Sequence, residues 1–432
     1  MPRRLARLLL AAAPLAAILA GACDRRQPDL DAAARRFVIL GLALGKHDPN
    51  YVDAYYGPDS LKEAAERFAG TLDVPTIRAT AESLLVMIGD SAPVTPDTLV
   101  RLRHANLRGQ ITAMIARARF VEGDTLGFDA EAKALFGQTP PTYSDAHFDS
   151  LLAQLDAALP GPEPLAVRLQ RFRDRVVIPE ARVDTVFKRA IAECRARTQR
   201  HITLPAGERF DLEYVKGTSW NAYNWYKGKY VSLIQVNTDL PIAIDRAIDL
   251  ACHEGYPGHH VYNALIEETL VNGRGWVEFS LYPLYSPQSL IAEGSANLGI
   301  DMAFPEPERT AFERDSLFPL AGLDPALAGK NAEVRRINER LNYARNEVAR
   351  RYLGGQLDRA GAEAAMARYW LSTPEAAAKT VRFIDTYRSY VINYNLGRDL
   401  VQQWVERNSG GDAAARWTAY EALLRAPAAA MR

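Results

Sequence analysis

The sequence is poor in cysteine, carries no net charge, and lacks an apolar run long enough to cross a membrane. It has three cysteines in 432 residues and 52 basic against 52 acidic residues. The cysteines show no CxxC spacing, so a Cys₄ zinc ribbon and a disulfide framework are excluded. The balanced charge gives no indication of nucleic acid as a partner. With 48% apolar residues, the chain has enough material for a sizeable folded core.

The N-terminus has the pattern of a targeting segment. Three arginines lie within the first seven residues, and a short apolar stretch follows at 8–22. The next residue is Cys23, in a setting that resembles a bacterial lipoprotein box, although Ala20 stands where such boxes usually carry Leu. An ordinary cleaved signal peptide is the alternative. Residues 1–23 are therefore predicted to be a lipoprotein-type signal peptide, with the mature chain exported and anchored by a lipid on Cys23 to the cell envelope, on the periplasmic side of a bacterial membrane.

Most of the mature sequence has helical periodicity. Apolar residues recur at spacings of three and four in the following stretches: 29–45, 96–119, 180–203, 331–353, 359–371, 374–394, 397–408 and 411–426. Ser144 or Asp145, Thr373 and Asp412 are typical helix-start residues. The pattern predicts a mainly α fold. It suggests an N-terminal helical lobe at 24–205 and a catalytic lobe at 206–432, or else one continuous domain.

The exception is the stretch 218–237, which predicts a β-hairpin. Aromatic and β-branched residues flank Lys227-Gly228-Lys229 on both sides. A small sheet beside a catalytic helix could offer an exposed edge strand to an extended peptide. The alternative is that the hairpin only covers the core.

Directly after this hairpin comes the stretch "ACHEGYPGHH" at 251–260. His253 followed by Glu254 begins the zinc-peptidase pattern HExxH, in which two histidines one turn apart bind one ion and the Glu activates water. Here Pro257 occupies the place of the second histidine. On a straight helix His259 would lie about 9 Å along the axis from His253, too far to share a zinc ion.

The Pro257-Gly258 pair offers a way around this objection. Proline removes a backbone donor and glycine tolerates unusual dihedral angles, so the helix can deform here. The prediction is a deformation between Tyr256 and His259 that brings His259 close to His253. His260 remains the competing choice for the second histidine.

A third ligand is suggested by Glu293, a lone acidic residue in the apolar run 286–304. A carboxylate buried in such a run is costly unless a cation or a donor lies nearby. The alternative is a solvent-facing Glu on an amphipathic helix.

These residues together resemble a known family. The run His253-Glu254-x-x-Pro257-Gly258-His259-His260, followed by Glu293-Gly294-x-Ala296, resembles the signature of bacterial domain-of-unknown-function family 885, which is grouped with the gluzincin-type zinc metallopeptidases. The segments 48–58, 236–241 and 388–397 resemble further blocks of that family, so the resemblance covers nearly all of the mature chain.

The resemblance implies a multi-helix, zincin-like fold with a small β-hairpin or sheet beside the active-site helix. It also implies a Zn²⁺ site whose ligands are His253, His259 and Glu293, with Glu254 as the general base that activates water. Gluzincins often hold a ligand histidine through an acidic residue four places after the ligand Glu. That place is Asn297 here, which puts the supporting role in doubt.

The C-terminal block suggests two further site residues. Helical peptidases of this kind use a late Tyr or His to stabilise the tetrahedral intermediate. Tyr387, Tyr390 and Tyr394 fall in one predicted helical segment with Arg388. Tyr394 is predicted to be the oxyanion partner and Arg388 a clamp for a substrate carboxylate. Core aromatics and a surface arginine are the alternative.

The combined prediction is a zinc metallopeptidase that cleaves short peptides outside the cytoplasm. Two other functions stay open: a catalytically inactive peptide-binding lipoprotein of the same fold, and an amidase acting on cell-wall peptides.

Overall fold

The computed structural model describes residues 29–69, 72–218 and 220–431. The predicted signal peptide and the lipid-bearing Cys23 lie outside these residues. Within them, no helix combines the length and apolarity that a membrane crossing requires.

Helices dominate the described part of the chain, and five short strands accompany them. The α-helices are α1 Leu30–His47, α2 Asp59–Ala69, α3 Val74–Ile88, α4 Thr98–Val121, α5 Phe128–Phe136, α6 Asp145–Ala158, α7 Leu165–Asp174, α8 Val183–Gln199, α9 Asp245–Leu250, α10 His259–Ile266, α11 Pro287–Ala303, α12 Glu308–Phe312, α13 Phe318–Ala321, α14 Ala328–Arg340, α15 Tyr343–Leu353, α16 Arg359–Trp370, α17 Pro374–Tyr387, α18 Leu396–Ser409 and α19 Ala413–Arg425. The strands are β1 Val52–Tyr55, β2 Arg209–Val215, β3 Ala222–Gly228, β4 Val231–Asn237 and β5 Leu281–Pro283. Short 3₁₀ segments span Glu180–Arg182, Val277–Ser280, Pro325–Leu327, Arg388–Tyr394 and Pro427–Met431, and π-helical segments span Ala251–Gly255, Glu267–Asn272 and Glu313–Leu317.

The predicted helix starts are confirmed by side-chain caps. Ser144 accepts a hydrogen bond from the backbone N–H of His147, Thr373 from that of Ala376, and Asp412 from that of Ala415. Each cap satisfies a donor that the first helical turn leaves without a partner.

Two predicted helices are shorter than the periodicity suggested. The stretch 331–353 is divided between α14 and α15, which are separated at residues 341–342. The stretch 374–394 stays α-helical only to Tyr387, because Arg388 adopts a left-handed conformation with φ of 51° and a 3₁₀ segment follows. The three late tyrosines therefore do not share one helix.

The predicted β-hairpin is present as β3 and β4, which pair antiparallel. Its turn is at Lys229 and Tyr230, both with positive φ, beside Gly228. A third strand, β2, was not predicted; it pairs parallel to β4 and completes the strand order β2-β4-β3. β3 is consequently an edge strand of this sheet. A separate two-stranded sheet joins β1 to β5. The predicted mainly α fold, with a small sheet beside the histidine-bearing helix, is confirmed.

The described core falls into three clusters of buried apolar side chains, and each cluster contains residues from both sides of residue 205. This mixing favours one continuous domain over two lobes that each have their own core. In the largest cluster the free thiols of Cys194 on α8 and Cys252 are fully buried, with their Sγ atoms 2.6 Å apart.

A close contact between α11 and α18 positions the segment that carries Glu293. A Cβ atom on Gly294 of α11 would lie 2.3 Å from the carbonyl group of Gly397 in α18. Only glycine permits this approach, and the contact holds α11 against the C-terminal part of the chain, where the late tyrosines lie.

Candidate metal centre

The helix that carries His253 deforms in the region where the Pro-Gly pair predicted a break. α9 continues as the π-helical segment Ala251–Gly255, and the backbone N–H of Gly258 donates to the carbonyl of Cys252 over 2.9 Å. A new helix, α10, begins at His259. The chain thus leaves the first helix after Gly255 and starts the second at His259, and the two histidine rings meet edge to face with centroids 4.7 Å apart.

Gly258 makes this turn possible. A Cβ atom at that position would lie 1.9 Å from the carbonyl oxygen of His253 and 2.4 Å from that of Cys252. Both neighbours are backbone atoms that cannot rotate away. The distance between the two histidines therefore depends on the absence of a side chain at residue 258.

Glu293 of α11 completes a cluster with the two histidines. Its Oε2 lies 3.4 Å from His253 Nε2, and its Oε1 lies 3.6 Å from His259 Nε2. The candidate ligand atoms of the three residues all lie within 4.8 Å of one another. The structure thus brings together the three residues that the sequence proposed as ligands.

The cluster fits a zinc ion in chemistry and in spacing. Two imidazoles and a carboxylate are a common protein ligand set for catalytic zinc, with bonds of about 2 Å. Ligand atoms about 3.5 Å apart are compatible with such bonds. Glu293 Oε2 is also buried without a hydrogen-bond partner, which is costly for a carboxylate oxygen and is relieved by a cation.

The electrostatics of the cluster show strong mutual attraction. Burial alone would lower the pKa of His259, but the negative charge of Glu293 close by, with smaller contributions from Glu254 and Asp53, raises it to about 9. Burial also acts against ionisation of Glu293, yet the nearby His259 and His253 hold its pKa well below the usual range. Glu293 is therefore held in its ionised form, and zinc binding would require His259 to lose a proton.

Glu254 lies beside this cluster and lines the same cavity. Burial raises its pKa, and the two histidines partly offset that rise. Its backbone carbonyl accepts a 2.7 Å hydrogen bond from Asn224 of β3, which ties the π-helical segment to the sheet. This backbone contact holds the carboxyl group of Glu254 beside His253, His259 and Glu293, the three residues of the candidate metal cluster.

His260 points away from the cluster, into the core. Its Nε2 lies 2.9 Å from Glu208 Oε2 and its Nδ1 2.9 Å from Ser232 Oγ. Glu208 also accepts from Tyr256 over 2.7 Å. The geometry thus gives His260 a structural place between the sheet and the turn, whereas His259 faces Glu293.

This difference gives a testable pair of variants. His259→Ala is expected to lower zinc affinity more than about 100-fold, since it removes a ligand. His260→Ala is expected to keep one zinc per chain but to lower the free energy of unfolding by about 1–3 kcal/mol, because Glu208 loses a buried partner. Zinc content after chelator competition and urea unfolding measure the two effects. Zinc loss in His260→Ala together with zinc retention in His259→Ala would reverse the assignment.

Tyr390 contacts the carboxylate of Glu293 directly. Its hydroxyl donates a 2.9 Å hydrogen bond to Glu293 Oε1. The sequence placed Tyr390 among the late tyrosines without singling it out. Its contact with Glu293 arises from the 3₁₀ turn Arg388–Tyr394, which helical periodicity does not predict.

Tyr394 lines the cavity and packs edge to face on Tyr390, with ring centroids 5.8 Å apart. Burial and the charge of Glu293 raise its pKa well above the usual range, so the phenol keeps its proton. Asn297 donates a 3.1 Å hydrogen bond to the Tyr394 carbonyl. Asn297 therefore positions the segment that carries Tyr394. It was considered above as a support for a ligand histidine, and the contact observed for it is this one to Tyr394.

Arg388 is placed elsewhere. Its guanidinium contacts Glu131 Oε2 over 2.6 Å and the carbonyl of Leu126 over 3.2 Å, above the ring of Phe120. Because the chain turns to a left-handed conformation at this residue, the side chain packs on α5 and not in the cavity. The structure does not bring Arg388 to the metal cluster.

Asp53 of β1 is a site residue that motif reading missed. It lines the cavity and accepts a hydrogen bond from the Tyr223 hydroxyl of β3. Burial, with the charges of Glu293 and Glu254, raises its pKa to about 7 despite the opposing effect of His259. Its only sequence signal was its position inside the stretch 48–58 that resembles a family block.

The cavity around these groups has a volume of about 550 Å³. The metal cluster and Glu254 form one side. A second side is built by β3 and Asp53, and a third by residues of α15, α16, α17 and the late tyrosines. This is a size and a lining that suit a peptide side chain and its flanking backbone.

No family model matches this chain, and no curated protein matches it. Solved structures do resemble it. A proposed lipoprotein from Colwellia psychrerythraea shares 13% sequence identity over 88% of this chain and 76% of its own, with a TM-score of 0.52. A proposed lipoprotein of unknown function from Shewanella oneidensis shares 12% over 86% and 75%, with a TM-score of 0.48.

An M32 carboxypeptidase from Deinococcus radiodurans R1 shares 15% identity over 92% of this chain and 90% of its own, with a TM-score of 0.43. At such identities a likeness concerns the fold alone, and of these three only the Colwellia protein is similar enough to support that conclusion. The chain therefore shares its overall fold with the Colwellia psychrerythraea protein, and its residues His253, His259 and Glu293 form a candidate metal site within that fold.

Proposed function

We propose that this protein is a zinc-dependent metallopeptidase that hydrolyses peptide bonds in short peptides outside the cytoplasm. The observation that carries the proposal is the meeting of His253, His259 and Glu293 with Glu254 in one cavity. Zinc, when bound, is a Lewis acid that polarises a carbonyl group and lowers the pKa of a water molecule.

Glu254 serves as the general base. It accepts a proton from the attacking water and delivers it to the nitrogen of the leaving amine. Its position next to His253 and its backbone tie to Asn224 keep the carboxyl group at the site of attack. Tyr394 keeps its proton because of burial and donates a hydrogen bond to the oxyanion that forms on the scissile carbonyl.

The sheet supplies a binding surface for extended peptide. β3 pairs with β4 on one side, and its residues line the cavity next to Glu254. An edge strand of this kind can form backbone hydrogen bonds with a substrate strand. A larger cavity of about 1170 Å³ adjoins the first and shares Leu240, Arg246 and Lys379 with it. The combined space accommodates a short oligopeptide, whereas a folded protein would be excluded.

The cellular location follows from the N-terminal pattern. Export and lipid attachment at Cys23 would place the peptidase in the cell envelope, where its substrates are peptides outside the cytoplasm. The Colwellia psychrerythraea protein that shares the fold is described as a lipoprotein, which is in keeping with this part of the proposal. Cell-wall peptides belong to the same substrate chemistry and are one arm of the test below.

Metal removal and restoration test the proposal. Purified protein is expected to hold one zinc per chain, to lose peptide hydrolysis after chelation, and to regain it with added zinc. A mass-spectrometric screen of a peptide library that includes cell-wall peptides measures cleavage in the native, chelated and restored states. Stoichiometric zinc without cleavage of any peptide would contradict the proposal and favour a peptide-binding role.

A further inference from the structure

The guanidinium of Arg345 faces the metal cavity without a carboxylate partner. Arg345 belongs to α15 and lines the cavity. No described Asp or Glu lies within ion-pair distance of it, and its Nε atom is buried without a hydrogen-bond acceptor. Its contacts are with aromatic faces: the guanidinium carbon lies 4.2 Å from the centroid of the Trp370 ring and 5.9 Å from that of Tyr394.

The arginines that are buried in the described chain have acidic partners, whereas Arg345 is only partly buried. Arg103 pairs with Glu278, Arg117 with Asp48, and Arg309 with Asp249 and Glu313. These pairings are expected, because a buried cation without a counter-charge is strongly disfavoured. Arg345 is the contrasting case: it is held by two rings and left with free N–H donors.

Arg345 is nevertheless a cation under ordinary conditions. Burial lowers its pKa to about 10, and Tyr394 opposes that shift. A guanidinium that stays charged, has its position fixed by ring stacking and has donors free is suited to bind a carboxylate through two parallel hydrogen bonds.

Apart from the ion pair of Arg246 and Asp249, the charges of the cavity are arranged in two groups. The carboxyl groups of Glu254, Glu293 and Asp53 lie at the metal cluster, whereas Arg345 and Lys379 lie on the helical wall. Lys379, like Arg345, has no described carboxylate within ion-pair distance. Two aromatic rings connect the groups, since Tyr394 contacts Arg345 and packs on Tyr390, which hydrogen-bonds to Glu293.

We propose that Arg345 binds a carboxylate of the peptide substrate and thereby sets which bond reaches the metal cluster. This inference rests on the proposed peptidase function and names its substrate class: peptides with a carboxylate a short distance beyond the scissile bond. The C-terminal carboxylate supplies that group in any peptide with a free end, and an Asp or Glu side chain supplies the same chemistry.

Four matched peptides distinguish the two sources. They share one sequence and end in a free acid or an amide, each with Glu or Gln at the residue near the C-terminus. Zinc-loaded wild type is expected to favour a carboxylate-bearing peptide over the doubly neutral one by about 10- to 100-fold in kcat/KM, the range of a hydrogen-bonded charge pair. If the free-acid peptides are cleaved faster than the amides whether they carry Glu or Gln, the terminal carboxylate is the group that binds. If the amide with Glu is cleaved as fast as the free acids, a side-chain carboxylate can take its place.

The variant Arg345→Gln is expected to lose that preference. Its kcat/KM should fall about 10- to 100-fold on the favoured peptide and change little on the doubly neutral one, so the ratio approaches one. Arg345→Lys keeps the charge but cannot form two parallel hydrogen bonds. Its ratio of kcat/KM should lie between those of the wild type and Arg345→Gln. Arg351→Gln on the same helix is the matched control, because Arg351 pairs with Asp145 on the outside of α15, and it should keep the wild-type ratio.

The wild-type ratio tests the inference even if Arg345→Gln does not fold. Equal cleavage of all four peptides by the wild type would overturn the role of Arg345 while leaving the peptidase function intact. If no peptide is cleaved, the peptidase function fails, and calorimetric binding of the four peptides to the zinc-loaded protein decides the role of Arg345. Tighter binding of the carboxylate-bearing peptides that Arg345→Gln or Arg345→Lys weakens would support the role, and equal binding would overturn it.

Discussion

Gly258→Ala is expected to destroy the metal site. The new Cβ would lie 1.9 Å from the His253 carbonyl oxygen and 2.4 Å from that of Cys252, far inside contact distance. The backbone must therefore move by more than 1 Å at the point that joins His253 to His259. Zinc ligands tolerate errors of only about 0.2 Å, so we expect zinc affinity to fall at least about 100-fold and hydrolysis to be lost with it. The strain should also lower the free energy of unfolding by about 1–3 kcal/mol.

Zinc titration against a competing chelator and urea unfolding of the zinc-free protein separate the two effects. Gly329→Ala is the matched control, because no atom lies within 4 Å of a Cβ at that position in α14. It should bind zinc normally and be unchanged or slightly more stable, as alanine favours a helix over glycine. If Gly258→Ala binds one zinc with wild-type affinity, the close backbone approach is not what brings the histidines together.

The parts of the site that the sequence predicts are those encoded by local chemistry. A Pro-Gly pair after His253-Glu254 indicates a chain deformation, and the structure shows the π-helical segment and the new helix at His259. The caps at Ser144 and Thr373 were equally local, since each involves a side chain and an N–H three residues on.

The parts that escaped prediction depend on contacts between distant segments. β2 pairs parallel to β4, although β3 lies between the two in the sequence. Nothing within β2 indicates that partner. Arg345 lines the cavity from α15, which is separate from α14, whereas the periodicity suggested one helix through both. A helical wheel fails in such places because one turn that departs from α geometry changes the direction of every later side chain.

Arg388 shows the same limitation. The periodicity predicted one helical segment for Arg388 and the late tyrosines, and this made Arg388 a plausible carboxylate clamp. The left-handed conformation at Arg388 instead directs its side chain to Glu131, while Tyr390 and Tyr394 turn toward the cluster. An arginine without an acidic partner does line the cavity, but it is Arg345, 43 residues earlier in the chain.

Glu254→Gln is expected to lower kcat about 10²- to 10⁴-fold while zinc stays bound, the usual contribution of a general base. Glutamine has nearly the same shape but cannot accept the proton of water. Because Glu254 is not among the three candidate ligands, zinc content should remain at one per chain. Steady-state cleavage of a library-derived peptide, with zinc quantified on the same sample, measures both quantities.

A second buried glutamate provides the control for this substitution. Glu313 also has a pKa raised by burial, but it pairs with Arg309 away from the cavity, so Glu313→Gln should lose stability and keep its turnover. If Glu254→Gln retains zinc and cleaves peptides at the wild-type rate, water must lose its proton to another group. Asp53 would then be the first group to test, because it lines the same cavity and its pKa of about 7 suits proton exchange near neutral pH. Loss of turnover in Glu254→Gln with zinc retained, and with Glu313→Gln active, would assign the proton transfer to Glu254.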